Sequence, residues 1–161
     1  MNPGCYLLVV VCLGVSLGNV SAKPLTYEGA NGAGKGKHIV FIASDHEYKS
    51  EETLPALARI LARHHGFKCS VLFGLNDKGE IAPGQSNVPG MEALKSADLM
   101  VVFTRFQNWP DEQMQHFVDY LERGGPIVGL RTATHGFQIP GDSKWAKYGN
   151  GFNGKEYQGG W

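Results

Sequence analysis

The chain has 161 residues, 42% hydrophobic and 19% charged, with 15 Lys and Arg balancing 15 Asp and Glu. This composition excludes a disordered, collagen-like or polytopic membrane protein, and the zero net charge removes the broad positive field that nucleic acid or an anionic membrane surface requires. The length suits one domain, and three cysteines cannot build the disulfide framework of a small secreted scaffold.

Residues 1–22 contain no Asp, Glu, Lys or Arg, and Tyr6 to Leu17 is a mostly apolar run, YLLVVVCLGVSL. The run is shorter than the roughly 20 residues a bilayer-spanning helix needs. Small residues at Val20-Ser21-Ala22 complete the pattern of a secretory signal peptide, with Lys23 as the first mature residue. The expectation is an exported protein, periplasmic or extracellular, without a stable membrane span after cleavage; the alternative is an uncleaved anchor. Cleavage removes Cys5 and Cys12 and leaves Cys69 without a disulfide partner. Residues 23–37, KPLTYEGANGAGKGK, read as a flexible glycine-rich leader to a domain spanning 38–161. Gly29-x4-Gly34-Lys35 mimics a phosphate loop, but Gly36 stands where the magnesium-binding hydroxyl belongs, and the segment precedes the first strand. No nucleotide or other cofactor is implied.

HIVFIA (38–43) is a short β-branched run expected as a strand buried on both faces. After a polar loop, Ser50 is placed to cap a helix with Glu51 and Glu52 in its first turn. Leu54, Leu57, Ala58 and Leu61 share its apolar face, His64 and His65 sit at its cation-favouring end, and Gly66 stops it. Phe67–Phe73 reads as the second strand. A turn-rich link (74–90) and a short helix around Met91–Lys95 lead to the third, DLMVVFT (98–104). Pro110 opens a helix burying Met114, Phe117, Val118 and Leu121; Gly124-Gly125 ends it, and PIVGLR (126–131) is the fourth strand. Alternating strands and helices predict an α/β fold: a doubly wound, flavodoxin-like parallel sheet with ligands beyond the strand carboxyl ends. From Gln138 onward, glycines and the rings of Trp145, Tyr148, Phe152, Tyr157 and Trp161 mark a long loop, either a lid or cleft wall, or a cover for the sheet edge.

The carboxyl-end rule selects the segments 44–50, 105–109 and 132–137. Asp45 and Glu47 supply carboxylates and His135 an imidazole for proton transfer, while Arg131 is placed to hold an oxyanion or carboxylate. Arg105, Gln107, Thr132 and Tyr48 offer polar contacts, and Trp109 a stacking platform for a ring-shaped polar ligand. Each has a structural alternative: Asp45 capping the following turn, His135 bonding a carbonyl, Arg131 pairing with Asp45 or Glu47. Asp45, His46, Glu47 and His135 lack a recognisable metal-ligand spacing, so no metal is expected. Cys69 lies inside a strand, where a buried thiol is inert, and no G-x-S-x-G elbow is present.

The segments HIVFIASDHEYKSEETLPALARILARHHGFKCSVLF and SADLMVVFTRFQNWPDEQMQHFVDYLERGGPIVGLRTATHGF resemble, in order and spacing, the ThuA-like (trehalose-utilization) family in its exported, planctomycete-type form. The resemblance implies a fold of the class I glutamine-amidotransferase kind and a small-molecule carbohydrate as the ligand or substrate. In amidotransferases the nucleophilic cysteine occupies G-x-C-x-G; here Gly129-Leu130-Arg131-Thr132-Ala133 stands in that place, and many family members carry histidine where this chain has Arg131. Arginine is permanently charged and is no nucleophile, so amidotransferase activity is not expected and His135 is left to replace that histidine in space. The resemblance also implies that such domains continue past the position of Trp161. The fourth strand is then an open edge, covered by a partner such as a second copy, or left bare in a truncated chain. Two alternatives to a carbohydrate-processing enzyme stay open: a non-catalytic binding module, and an incomplete fragment.

Overall fold

In a computed structural model, residues 23–155 and 161 are described; the proposed signal peptide, residues 1–22, and Tyr157 lie outside them. The protein is α/β, built on a five-stranded mixed sheet of order β1-β3-β2-β4-β5. The strands are β1 (Leu25–Tyr27), β2 (His38–Ser44), β3 (Lys68–Phe73), β4 (Leu99–Thr104) and β5 (Ile127–Gly129). The helices are α1 (Ser50–His65) and α2 (Asp111–Glu122), joined by 3-10 turns at Met91–Ser96, Arg131–His135 and Ala146–Tyr148. β2 lies between β3 and β4 and is parallel to both, as β4 is to β5; only β1 runs antiparallel, against β3.

The apolar run of β2 works on both faces because successive side chains alternate. Ile39, Phe41 and Ala43 pack with Leu54, Ala58 and Ala62 of α1 and with Val71, Val101 and Phe103. Val40 and Ile42 face the other way, toward Met100 and Val102, with Met114, Phe117 and Val118 of α2 closing that side. Each fully buried Val, Leu, Ile, Phe or Met among them contributes roughly 1.5–3 kcal/mol. Cys69 is buried on the α1 side, and burial pushes its thiol up to about 11, which keeps it unreactive at neutral pH.

Several expectations are corrected. The glycine-rich leader is not a detached tether: its start forms β1, and Gly29, Gly32 and Gly34 seat against the end of α1 and Phe67, the residue before β3. A side chain at Gly29 would meet the Gly66 carbonyl, and one at Gly34 would enter the Phe67 ring. These glycines exist for close approach rather than for freedom. Ser50 does not cap α1; the capping position is Lys49, in a left-handed conformation with φ 56° and no side-chain bond. Leu57 turns outward and is 37% exposed, because the buried face of α1 runs through Leu54, Ala58 and Ala62. Of the aromatic tail, the described Tyr148 and Trp161 set their rings against Phe117 and cover the α2-side core, the second of the two roles expected for the tail. β5 is an edge of the sheet, with Val128 44% exposed.

If the leader is part of the packed domain, Gly29→Ala overpacks it and lowers stability by about 1–3 kcal/mol in chemical denaturation. An unchanged midpoint would mean the leader is detached in solution.

Candidate functional site

The loops after β2, β4 and β5 meet at one edge of the sheet, and backbone hydrogen bonds join two of them. Phe106 N–H donates to His135 O (3.2 Å), Gln107 N–H to Gly136 O (2.7 Å), and Gln138 N–H to Gln107 O (2.9 Å). The Gln107 side chain, fully buried, ties in two more segments. Its amide nitrogen lies 2.8 Å from Ser44 O, 3.0 Å from Arg105 O and 3.3 Å from Gly84 O. Its Oε1 is 2.8 Å from Ser44 Oγ, which also lies 2.7 Å from Gln85 O and divides its one proton between them. Every polar atom of Gln107 is thus taken by the protein, so it frames the edge and does not contact a ligand.

Arg105 is the centre of the first cluster. Its Nη1 donates to His46 Nε2 at 2.9 Å and to Glu47 Oε2 at 3.1 Å. Guanidinium has no acceptor, so His46 Nε2 is the acceptor. The His46 side chain lies against Gly84, where φ is +79° and a Cβ would come within 2.8 Å of His46 Cβ. Phe106 follows, 38% exposed, with the Arg105 guanidinium 4.6 Å from its ring centroid and the His135 ring 5.3 Å away, tilted at 45°. His135 Nδ1 meets Thr134 Oγ1 at 3.3 Å, and its Nε2 has no hydrogen-bond partner among the described residues. A second, adjacent cluster is Arg131 stacked on Tyr48, 3.9 Å from guanidinium carbon to ring centroid, with Tyr48 in turn against Phe103.

The other expected site residues take structural posts. Asp45 is fully buried, and its carboxylate accepts the N–H groups of Glu47 (2.6 Å), Tyr48 (2.7 Å) and Ser50 (3.1 Å), while its own N–H donates to Ser50 Oγ (3.2 Å). It caps the turn into α1, the structural alternative expected of it, and its carboxylate is enclosed on backbone N–H groups. Burial by itself raises the Asp45 carboxyl, but the three backbone N–H groups and the Ser50 hydroxyl together outweigh it and hold the carboxyl below its ordinary value. Thr132 is buried and donates to Thr104 O at 2.9 Å. Trp109 is no platform: it is buried edge-on between Phe117 and Phe137, at 5.5 and 4.7 Å, because α2 needs a large apolar partner at its start.

The aromatic ring exposed at this edge is Phe106, not Trp109 as expected. The available signal was an apolar ring inside the polar stretch R-F-Q-N. Among the described residues, no group of three His, Cys, Asp or Glu side chains is arranged to hold a metal ion, and no helix is long and apolar enough to cross a membrane. No family model, curated protein or solved structure matches the chain. Fold and site together define an α/β domain with basic, acidic and aromatic side chains gathered beyond the ends of its parallel strands.

The Asp45 cap carries a pH signature. The native carboxyl sits lower than in the unfolded chain, so its stabilisation is complete above the ordinary carboxylate range and disappears as pH falls through the native value. Asp45→Asn should lower stability at pH 7 by about 2 kcal/mol. Its gap to the parent protein in urea unfolding should narrow below about pH 4. A gap that stays constant down to pH 3 would assign the cap to something other than the carboxylate.

Proposed function

We propose that this chain is an exported ThuA-like domain that binds a carbohydrate-type ligand at the carboxyl edge of its sheet. In this reading Phe106 lies under the sugar ring and Arg105, His46 and Glu47 contact hydroxyl groups. The observation that carries it is backbone strain. Three non-glycine residues among those described have left-handed backbones: Lys49 (φ 56°), Phe106 (φ 52°) and Arg131 (φ 45°). They follow β2, β4 and β5 respectively. Each such residue costs of order 1–3 kcal/mol and persists where its surroundings force it, commonly at sites of function. A bulky aromatic residue is especially unfavourable there, and this one leaves its ring exposed between a guanidinium and an imidazole.

The order of the four parallel strands, β3-β2-β4-β5, follows the flavodoxin pattern 2-1-3-4 when they are numbered among themselves, and α1 and α2 pack on opposite faces. Both features support a doubly wound arrangement of the amidotransferase kind. The strained turn at Arg131 corresponds to the nucleophile elbow of such folds, with a residue that cannot attack a carbonyl. If chemistry occurs, His135 is the proton-transfer group, with an unengaged Nε2, and Glu47 its acidic counterpart; Asp45 is removed from that role by its three backbone bonds. The second reading, binding without turnover, is favoured by the absence of a nucleophile at Arg131.

Calorimetric titration with disaccharides and their oxidised derivatives tests the site. Phe106→Ala and Arg105→Ala should each weaken the tightest-bound sugar by about tenfold, roughly 1.4 kcal/mol. His135→Ala should abolish any turnover while leaving affinity nearly unchanged. If neither loop variant alters sugar affinity, the carbohydrate site is not here. For export, amino-terminal sequencing of protein recovered outside the cytoplasm should begin at Lys23; recovery with Met1 intact would reject cleavage.

A further inference from the structure

The second cluster, Arg131 on Tyr48, borders a cleft of its own. A cleft of about 530 Å³ lies between the start of α1 and the end of β4, lined by Tyr48, Thr53, Leu54, Leu57, Phe103, Leu130 and Arg131. Its volume is within the range of about 300–1,000 Å³ typical of small-molecule sites. Its accessible walls are Tyr48, the 37% exposed Leu57 and the half-buried Leu130, with Leu54 and Phe103 buried beneath them in the α1-side core. Among the described residues that line it, Arg131 is the only charged one. Among the described residues no carboxylate pairs with that guanidinium, whose recorded partner is the face of the Tyr48 ring. Its backbone is in the left-handed region, with φ 45°, and the Tyr48 ring holds the guanidinium at this rim.

An unpaired guanidinium beside an apolar cleft is complementary to one kind of molecule: an anion that carries its own apolar tail. We propose that the cleft binds a medium-chain carboxylic acid, with the carboxylate on Arg131 and the alkyl chain along Leu57 and Leu130, over the buried Leu54 and Phe103. A guanidinium offers paired N–H groups that match a carboxylate's two oxygens. The Tyr48 ring under Arg131 covers one face of the guanidinium and leaves its edge for the ligand. The alkyl chain supplies the binding free energy, and the charge supplies selectivity. The cleft's lining contains none of Arg105, Phe106 and His135, so its ligand can be tested apart from the carbohydrate reading, although both use the strained turn at Arg131.

Isothermal titration of the protein with octanoate, octan-1-ol and octylamine tests the proposal. Octanoate should bind at least tenfold more tightly than octylamine, and hexanoate should bind more weakly than octanoate by up to about fourfold per CH2 lost. Arg131→Gln should bring octanoate down to the affinity of octan-1-ol while preserving the alcohol's own affinity. Leu57→Asn, at a partly exposed position that tolerates a polar group, should weaken acid and alcohol alike. Equal affinity for acid and amine in the parent protein would overturn the proposal, and so would an unchanged acid preference in Arg131→Gln. Absence of octanoate binding would do the same. Sedimentation equilibrium showing a ligand-free dimer that octanoate does not dissociate would assign the cleft to a second copy instead.

Discussion

The buried amide of Gln107 is the constraint on which the carboxyl edge of the sheet depends. A neutral side chain with two donors and an acceptor is enclosed where no water reaches it, so each atom must find a protein partner. It finds them on four segments: Ser44 at the end of β2, Gly84 in the long link, Arg105 beyond β4, and, through its backbone, the turn holding Gly136. Leaving any one of these groups unpaired in the interior costs about 1–3 kcal/mol. The alternatives to this arrangement are therefore penalised several times over, and the loops that carry Arg105, Phe106 and His135 are fixed relative to one another.

The same edge shows how polar residues divide between building a site and serving it. Asp45 and Thr132 have the chemistry of ligand contacts but spend it on backbone groups. Arg105 and Glu47 pair at a partly exposed position, where an ion pair is worth about 0–1 kcal/mol. That pair contributes little to holding the fold, and its geometry follows from the loops that Gln107 and Asp45 organise. Strain is distributed the same way. The left-handed residues lie in the turns after the strands, and the strands themselves keep regular pairing over their full lengths. The rigid centre tolerates the unfavourable backbone at its rim.

Much of the architecture was legible in the chain because its signals are local and periodic. The buried runs of β2, β3 and β4 were readable from β-branched residues bounded by polar loops, and α2 from Met114, Phe117 and Val118 at helical spacing. The leader was misread because a glycine gives the same letter whether it permits motion or permits contact; Gly29 and Gly34 are of the second kind, a fact carried by Gly66 and Phe67 more than thirty residues away. Trp109 was misread for a related reason. A large ring near a strand end looks like a platform until a helix lands on it, and the chain near Trp109 does not state where Phe117 and Phe137 will be.

The amino-acid sequence alone determined the alternation of strands and helices, the two-faced burial of the central strands, the inertness of Cys69 and the clustering of polar residues after the strands. These follow from side-chain period and solubility, which act over a few neighbouring positions. Only the tertiary structure decided which of those polar residues remain available. That choice depends on which buried backbone groups lack partners once the loops have met, and Asp45 and Gln107 were drawn inward to satisfy them while Arg105, Phe106, Arg131 and His135 were left at the surface.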